Sequence, residues 1–280
     1  GLPHSIHVHC NNLGTPGNYK TTLETMKAVE GRKIHITHSQ FNSYGGTNWG
    51  DFRSKAPEIA EYVNEHKNVT LDVGQVIFGD TTTMTADGPW QYRLYKLSGN
   101  KWANTDVEME TGTGVVPYTF KKGSLVNAVQ WAIGLELLLL VKDPWRIFLT
   151  TDHPNAGPFM FYPQVIKLLM NKDFREEKLA ELPKRVRQKT LLAEINREYS
   201  LYEIAIITRA GTAKALGLTN KGHLGIGADA DIAIYSKDDV ERMFSSALYV
   251  LKAGEVVVKN GKVVKDCYGK TFYVDPHQED

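Results

Sequence analysis

The chain has 280 residues, of which 42% are apolar and 23% charged, enough for one large domain or two smaller ones with an ample core. That ordinary composition excludes a disordered, collagen-like or disulfide-scaffold chain. Lys+Arg 33 against Asp+Glu 32 leaves a net charge of +1, so no long-range field draws the chain to nucleic acid or to a membrane surface.

Read in chain order, SIHVHC (5–10) is a predicted strand and NNLGTPGN (11–18) a loop. The segment 19–31 reads as a helix stopped at Gly31. KIHITHS (33–39) is the next strand, followed by the Gly- and Asn-rich loop FNSYGGTNWGD and a helix over 55–66. VTLDV (69–73) is a third strand, and a long polar and aromatic stretch, 76–122, reads as an insertion. A helix over 124–141 and the strand RIFLTT (146–151) complete the first half. The order βαβαβ, insertion, αβ implies a parallel sheet, either barrel or doubly wound. Residues 161–216 read as helices: FYPQVIKLLM, REEKLAELPKRVRQKTLLAEI and SLYEIAIITRAGTAKALGL, the last running just past that span. After Gly217 the chain turns β-rich, with GADADIAIY (227–235) and the hairpin EVVVKNGKVVK (255–265) around Asn260-Gly261, a pair suited to a two-residue type I′ turn. The expected division is 1–216 and 217–280.

The most apolar run, LVNAVQWAIGLELLLLV at 125–141, carries Asn127, Gln130 and Glu136 and falls short of the roughly 20 apolar residues of a membrane span; a buried helix is expected. The two cysteines, Cys10 and Cys267, form no framework and point to a reducing, cytoplasmic compartment. The opening GLPHSIHVHC has no basic segment and no cleavage site. With no initiator methionine and an entry in mid-strand, it reads as a fragment of a longer protein.

Five of the nine histidines lie early, at His4, His7, His9, His35 and His38. Period 2 puts His7 and His9 on one face of their strand. It likewise groups Ile34, Ile36 and His38, with His35 facing outward. Asp152 is the first residue beyond strand 146–151. His9, His38 and Asp152 thus occupy equivalent ends of three parallel strands, the edge at which α/β sheets and barrels build sites. Imidazole and carboxylate donors suit zinc. His66 closes a helix, where a cation is favoured; His153 is expected to point away from Asp152, and His223 and His277 carry no argued role. The stretch from His9 to Asp152 holds four strands, whereas a complete barrel takes about 250 residues. The pattern is half a barrel, entered at its fifth strand.

HCNN at 9–12, IHITHS at 34–39 and TTDHP at 150–154 resemble the strand 5, 6 and 8 signatures of the amidohydrolase superfamily, as in hydantoinases and dihydroorotases. AGTAKALGL followed by KGHLGIGADADIAIY resembles that superfamily's passage from the last barrel helix into its composite β-sandwich, and KAGEVVVKNGKVV its closing hairpin. GPWQYRLY, the segment 112–159 and HVHCNNLGTPGNY resemble, more narrowly, the family of the amidohydrolase-type subunits of formylmethanofuran dehydrogenase.

The resemblance implies an α/β fold: the second half of a metal-dependent amidohydrolase (β/α)8 barrel, followed by a small C-terminal β-sandwich domain. It implies two zinc ions per full-length chain, with His9, His38 and Asp152 as ligands here. The strand 1 HxH pair and the bridging lysine would lie upstream of Gly1, so this chain alone is expected to be inactive. Asp152 would also be the general acid/base for condensing formate with the amine of methanofuran to formylmethanofuran, and for the reverse hydrolysis. Asn12, Gln40 and Asn155 are candidates for contact with substrate, although loop and turn chemistry is the favoured reading of these residue types. Other subunits of the dehydrogenase are the implied partners, one carrying a molybdenum or tungsten pterin; nucleic acid and membrane are not. Trp90, Tyr92, Tyr95 and Trp102 in the insertion suit a subunit interface or a cap over a long amine. The alternatives are a cyclic amidohydrolase and a metal-free scaffold subunit.

Overall fold

The computed structural model describes residues 5–85 and 114–271. His4, His277 and the aromatic residues Trp90, Tyr92, Tyr95 and Trp102 lie outside them.

Four short strands, β1 (Ile6–Val8), β2 (Ile34–Ile36), β5 (Val69–Asp72) and β8 (Ile147–Phe148), form one sheet in the order β1-β2-β5-β8. All neighbours are parallel, with Ile6 opposite Ile34, Ile34 opposite Val69, and Leu71 opposite Ile147. Helices α1 (Tyr19–Ala28), α2 (Ala56–Glu65) and α3 (Leu125–Leu140) supply the crossovers that parallel neighbours require. The strands are shorter than the sequence runs, but each falls inside its expected span.

Val69, Leu71, Ile34 and Ile36 share a buried core with Met26 of α1, Ile59, Ala60 and Val63 of α2, and much of α3. Residues Asn127 through Leu139 of α3 are all buried, as expected of a helix that is apolar on every side. Its first turn is capped by Ser124, whose hydroxyl accepts the Asn127 N–H. Among the described residues, no helix is long and apolar enough to cross a membrane.

Two small antiparallel ribbons interrupt this layer: β3 (Tyr44–Gly45) with β4 (Arg53–Ser54), and β6 (Gly79–Thr85) with β7 (Gly114–Phe120). The second ribbon is the described part of the expected insertion.

The helical second half departs from the sequence reading at one place. Helices α4 (Tyr162–Met170) and α5 (Lys172–Ala180) form, but the helix expected over 175–195 ends at Ala180. Pro183 has no N–H and disfavours helix in the residue before it, so the chain continues as 3₁₀ turns at Lys184–Gln188 and Leu192–Glu194. Further on, α6 (Leu201–Ala205) and α7 (Gly211–Ala215) are joined through a π-turn, Ile206–Ala210.

The C-terminal residues form a second, antiparallel sheet from β9 (Ile232–Ile234), β10 (Tyr249–Lys252), β11 (Glu255–Lys259) and β12 (Lys262–Val263), in the order β12-β11-β10-β9. A short helix, α8 (Val240–Ser245), precedes β10. Lys259 pairs with Lys262 across Asn260 and Gly261. Both turn residues have positive φ, 51° and 72°, the backbone a type I′ turn demands.

Candidate active site

The carboxyl edge of the parallel sheet gathers the residues singled out above. His9 lies just beyond β1, and its Nδ1 is 2.8 Å from Nε2 of His38, beyond β2. Their rings meet edge to face at 4.7 Å, and His7 stacks on His9 at 5.3 Å. Asp152, beyond β8, and His38 flank Gly74: a Cβ built there would lie 2.8 Å from His38 Cβ and 3.5 Å from Asp152 Cβ. His9 is exposed, Asp152 half-buried and His38 buried.

His38 and Asp152 share an unusual backbone. Both are non-glycine residues in left-handed conformation, with φ of 35° and 46°. Such residues break the two-residue alternation of a strand, which is how His38 reaches His9. Burial pushes the His38 imidazole below its ordinary pKa, against the opposing charge of Asp152. The neutral ring is the form that donates a lone pair to a metal.

One sequence expectation about the faces is corrected. His35 does not face outward: its row across the sheet is His7, His35 and Thr70, and its side chain is only 13% exposed. Ile34 and Ile36 point instead into the helix-covered core. His35 Nδ1 lies 2.8 Å from Thr70 Oγ1 and Nε2 lies 3.0 Å from Asp72 Oδ2, with the ring stacked on Phe148.

Asp72 is the residue that sequence reasoning missed. Burial alone would raise its carboxyl, but hydrogen bonds from His35, Thr37 and Thr150 and the charge of His35 outweigh that. They hold it well below the usual carboxylate range. Within VTLDV its only signal was a carboxylate at a strand's carboxyl end, on the strand between those that lead to His38 and Asp152.

The three polar candidates differ in setting. Asn12 is exposed, has φ 62°, and donates from Nδ2 to Thr21 Oγ1 at 3.1 Å. Asn155 is half-buried beside the rim, its backbone N–H on the Asp152 carbonyl at 2.6 Å. Gln40 is wholly buried and donates from Nε2 to the Tyr44 hydroxyl at 2.9 Å, while its Oε1 has no partner among the described residues. Tyr44 also receives Gln130 Nε2 at 2.8 Å from α3, so Gln40 belongs to an interior polar chain rather than to the rim surface. His153 packs edge to face on Phe159.

Two imidazoles and a carboxylate at an exposed sheet edge are the donor chemistry of zinc, and they fit part of such a site. Among the described residues no group of three or more His, Cys, Asp or Glu side chains is arranged to hold a metal ion by itself.

Comparison with known proteins bears on this geometry. The chain is 57% identical to Protein FwdA of Methanocaldococcus jannaschii, over 98% of this chain and 52% of that protein. It is 47% identical to the A subunit of the formyltransferase/hydrolase complex Fhc of Methylorubrum extorquens, over 98% of this chain and 51% of that protein. The X-ray crystal structure of the formyltransferase/hydrolase complex (FhcABCD) from that organism, in complex with methylofuran, holds a chain that superposes with a TM-score of 0.85. That match is 48% identical and covers 95% of this chain and 49% of the other. The chain therefore spans about half the length of the relatives it matches. The sequence profile of the amidohydrolase family matches residues 1–264, nearly the whole length over which the strand-end residues and both sheets are laid out. The chain belongs to the amidohydrolase family.

Proposed function

We propose that this chain is the carboxyl half of the amidohydrolase-type subunit of a formylmethanofuran dehydrogenase. The single observation that carries the reading is the match to the chain solved with methylofuran, at 48% identity over 95% of this chain. In this reading the parallel sheet is strands five to eight of a (β/α)8 barrel within residues 1–216. The face bearing His7, His35, Thr70 and Asp72 lines the lumen, and residues 217–280 contribute one sheet of a β-sandwich. The remaining strands, and the other metal ligands, belong to the rest of the subunit.

His9, His38 and Asp152 would hold zinc there together with those ligands. Bound zinc supplies a Lewis acid that polarises the formyl oxygen and favours deprotonation of water. Asp152 does the proton work. In hydrolysis its carboxylate accepts a proton from the water that adds to the formyl carbon. It returns that proton to the amine nitrogen as the C–N bond breaks, leaving formate and a primary amine. Condensation runs the same path backwards and releases water. Asn155, next to Asp152, is the side chain assigned to the substrate; Asn12, engaged with Thr21, sits in the loop after β1, and Gln40 lies in the interior with Tyr44. The substrates are formate and methanofuran, the partners the other subunits of the complex, one with a molybdenum or tungsten pterin, and the compartment the cytoplasm.

Asp152→Asn keeps the size and hydrogen-bonding shape but cannot carry a proton. In the complete, metal-loaded subunit, formylmethanofuran hydrolysis is expected to fall by about 10²-fold or more. Near-wild-type hydrolysis by the folded variant would refute the assignment.

A further inference from the structure

Asp72 ends β5, the strand between the one that leads to His38 and the one that leads to Asp152. It is buried, and every acceptor it has is engaged. Oδ1 takes the His38 backbone N–H at 3.0 Å and the Thr150 hydroxyl at 2.7 Å. Oδ2 faces His35 Nε2 at 3.0 Å, and the main-chain carbonyl takes the Ser39 hydroxyl at 2.7 Å. Thr150 Oγ1 in turn accepts the Gly74 N–H at 2.8 Å.

These bonds converge on backbone that does not hold itself. A left-handed residue with a Cβ costs about 1–2 kcal/mol, and His38 is such a residue, at φ 35° and ψ 48°. A fixed acceptor on its N–H holds that conformation. Asp152 is left-handed too, at φ 46°, and lies two residues beyond the Thr150 hydroxyl. Gly74, tied to Thr150, sits between them with no room for a Cβ. One carboxylate thus anchors the chain on both sides of the point where His38 and Asp152 approach each other.

We propose that Asp72 is a positioning residue of the rim, setting the His38 imidazole and the Asp152 carboxylate relative to one another. The proposal rests on the metal reading given above. Asp72 touches neither ion nor substrate; it acts through the His38 backbone and through Thr150.

The test uses the complete subunit, stripped with chelator and titrated with cobalt(II), whose visible absorption reports ligand geometry independently of activity. Asp72→Ala is expected to weaken cobalt binding by roughly 10–100-fold and to change the band, the usual effect of removing a group that orients a ligand. Asp72→Asn keeps an acceptor for His38 and Thr150, and its amide can donate to His35 Nε2 in the other tautomer. It is expected to restore binding to within a few-fold. Thr150→Val removes only the hydroxyl link and is expected to weaken binding by roughly 10-fold. Wild-type affinity and spectrum in Asp72→Ala and Thr150→Val, with only the melting temperature lowered, would overturn the proposal. Should Asp72→Ala not fold, Thr150→Val decides on the same criterion. His38→Ala runs in parallel. Loss of cobalt there, with none in the Asp72 and Thr150 variants, overturns positioning and leaves the metal reading standing. Full cobalt binding by His38→Ala overturns both.

Discussion

Glu136 interrupts the apolar run of α3 and is wholly buried. Its two oxygens accept from the Ser54 hydroxyl of β4 and from the Leu191 N–H that opens the 192–194 turn. Burial pushes the carboxyl from its ordinary 4.5 up to about 7, against those hydrogen bonds. A displacement of that size, at about 1.4 kcal/mol per unit, is worth about 3 kcal/mol. The folded chain binds this proton more tightly than the unfolded one. The stability it confers is therefore fully present below about pH 4.5, drains away as pH rises through 7, and stays lost above that. Glu136→Gln removes the titration. The amide oxygen can still accept the Leu191 N–H, and the amide N–H₂ can donate to Ser54 Oγ, which already accepts the Ala56 N–H. Urea denaturation at intervals from pH 5 to 8.5 is expected to show two curves that meet at the acid end. They should separate until the variant is more stable by about 3 kcal/mol at pH 8. Parallel curves, or a variant less stable at pH 8, would refute the reasoning and mean that the carboxylate's hydrogen bonds outweigh its burial.

Gly74→Ala is expected to cost more than about 1 kcal/mol, because φ is +65° and the new Cβ would lie 2.8 Å from His38 Cβ and 3.0 Å from His38 Cα. Unchanged denaturation and unchanged zinc content in the complete subunit would count against the close approach drawn for that rim. Arg175 is 1% exposed and donates to the carbonyls of Leu168, Ile195 and Arg197 at 2.8, 3.0 and 3.1 Å. Arg175→Met fills the space but leaves one buried and two half-buried carbonyls without their donor, at an expected cost of about 3 kcal/mol; an equilibrium unfolding loss below about 1 kcal/mol would contradict it.

Local pattern alone located the parallel strands, the helices between them and the Asn260-Gly261 hairpin, because periodicity and turn chemistry are properties of neighbouring residues. The motifs at 9–12, 34–39 and 150–154 likewise carried the family. What the pattern could not supply was which faces meet. Alternation assigns Ile34 and Ile36 to one side and His35 to the other, but either side can be the one the helices cover, and the helices cover Ile34 and Ile36. Alternation also fails at His38, where left-handed backbone turns the imidazole toward His9. Pro183 was legible as a breaker, yet the surrounding helical composition masked it until α5 ended at Ala180. Asp72 was invisible for the deepest reason. Its partners come from β2 (His35), from the turn after it (His38) and from the segment after β8 (Thr150), and only the packing of β2, β5 and β8 side by side turns an ordinary strand-end carboxylate into the common acceptor beneath the rim.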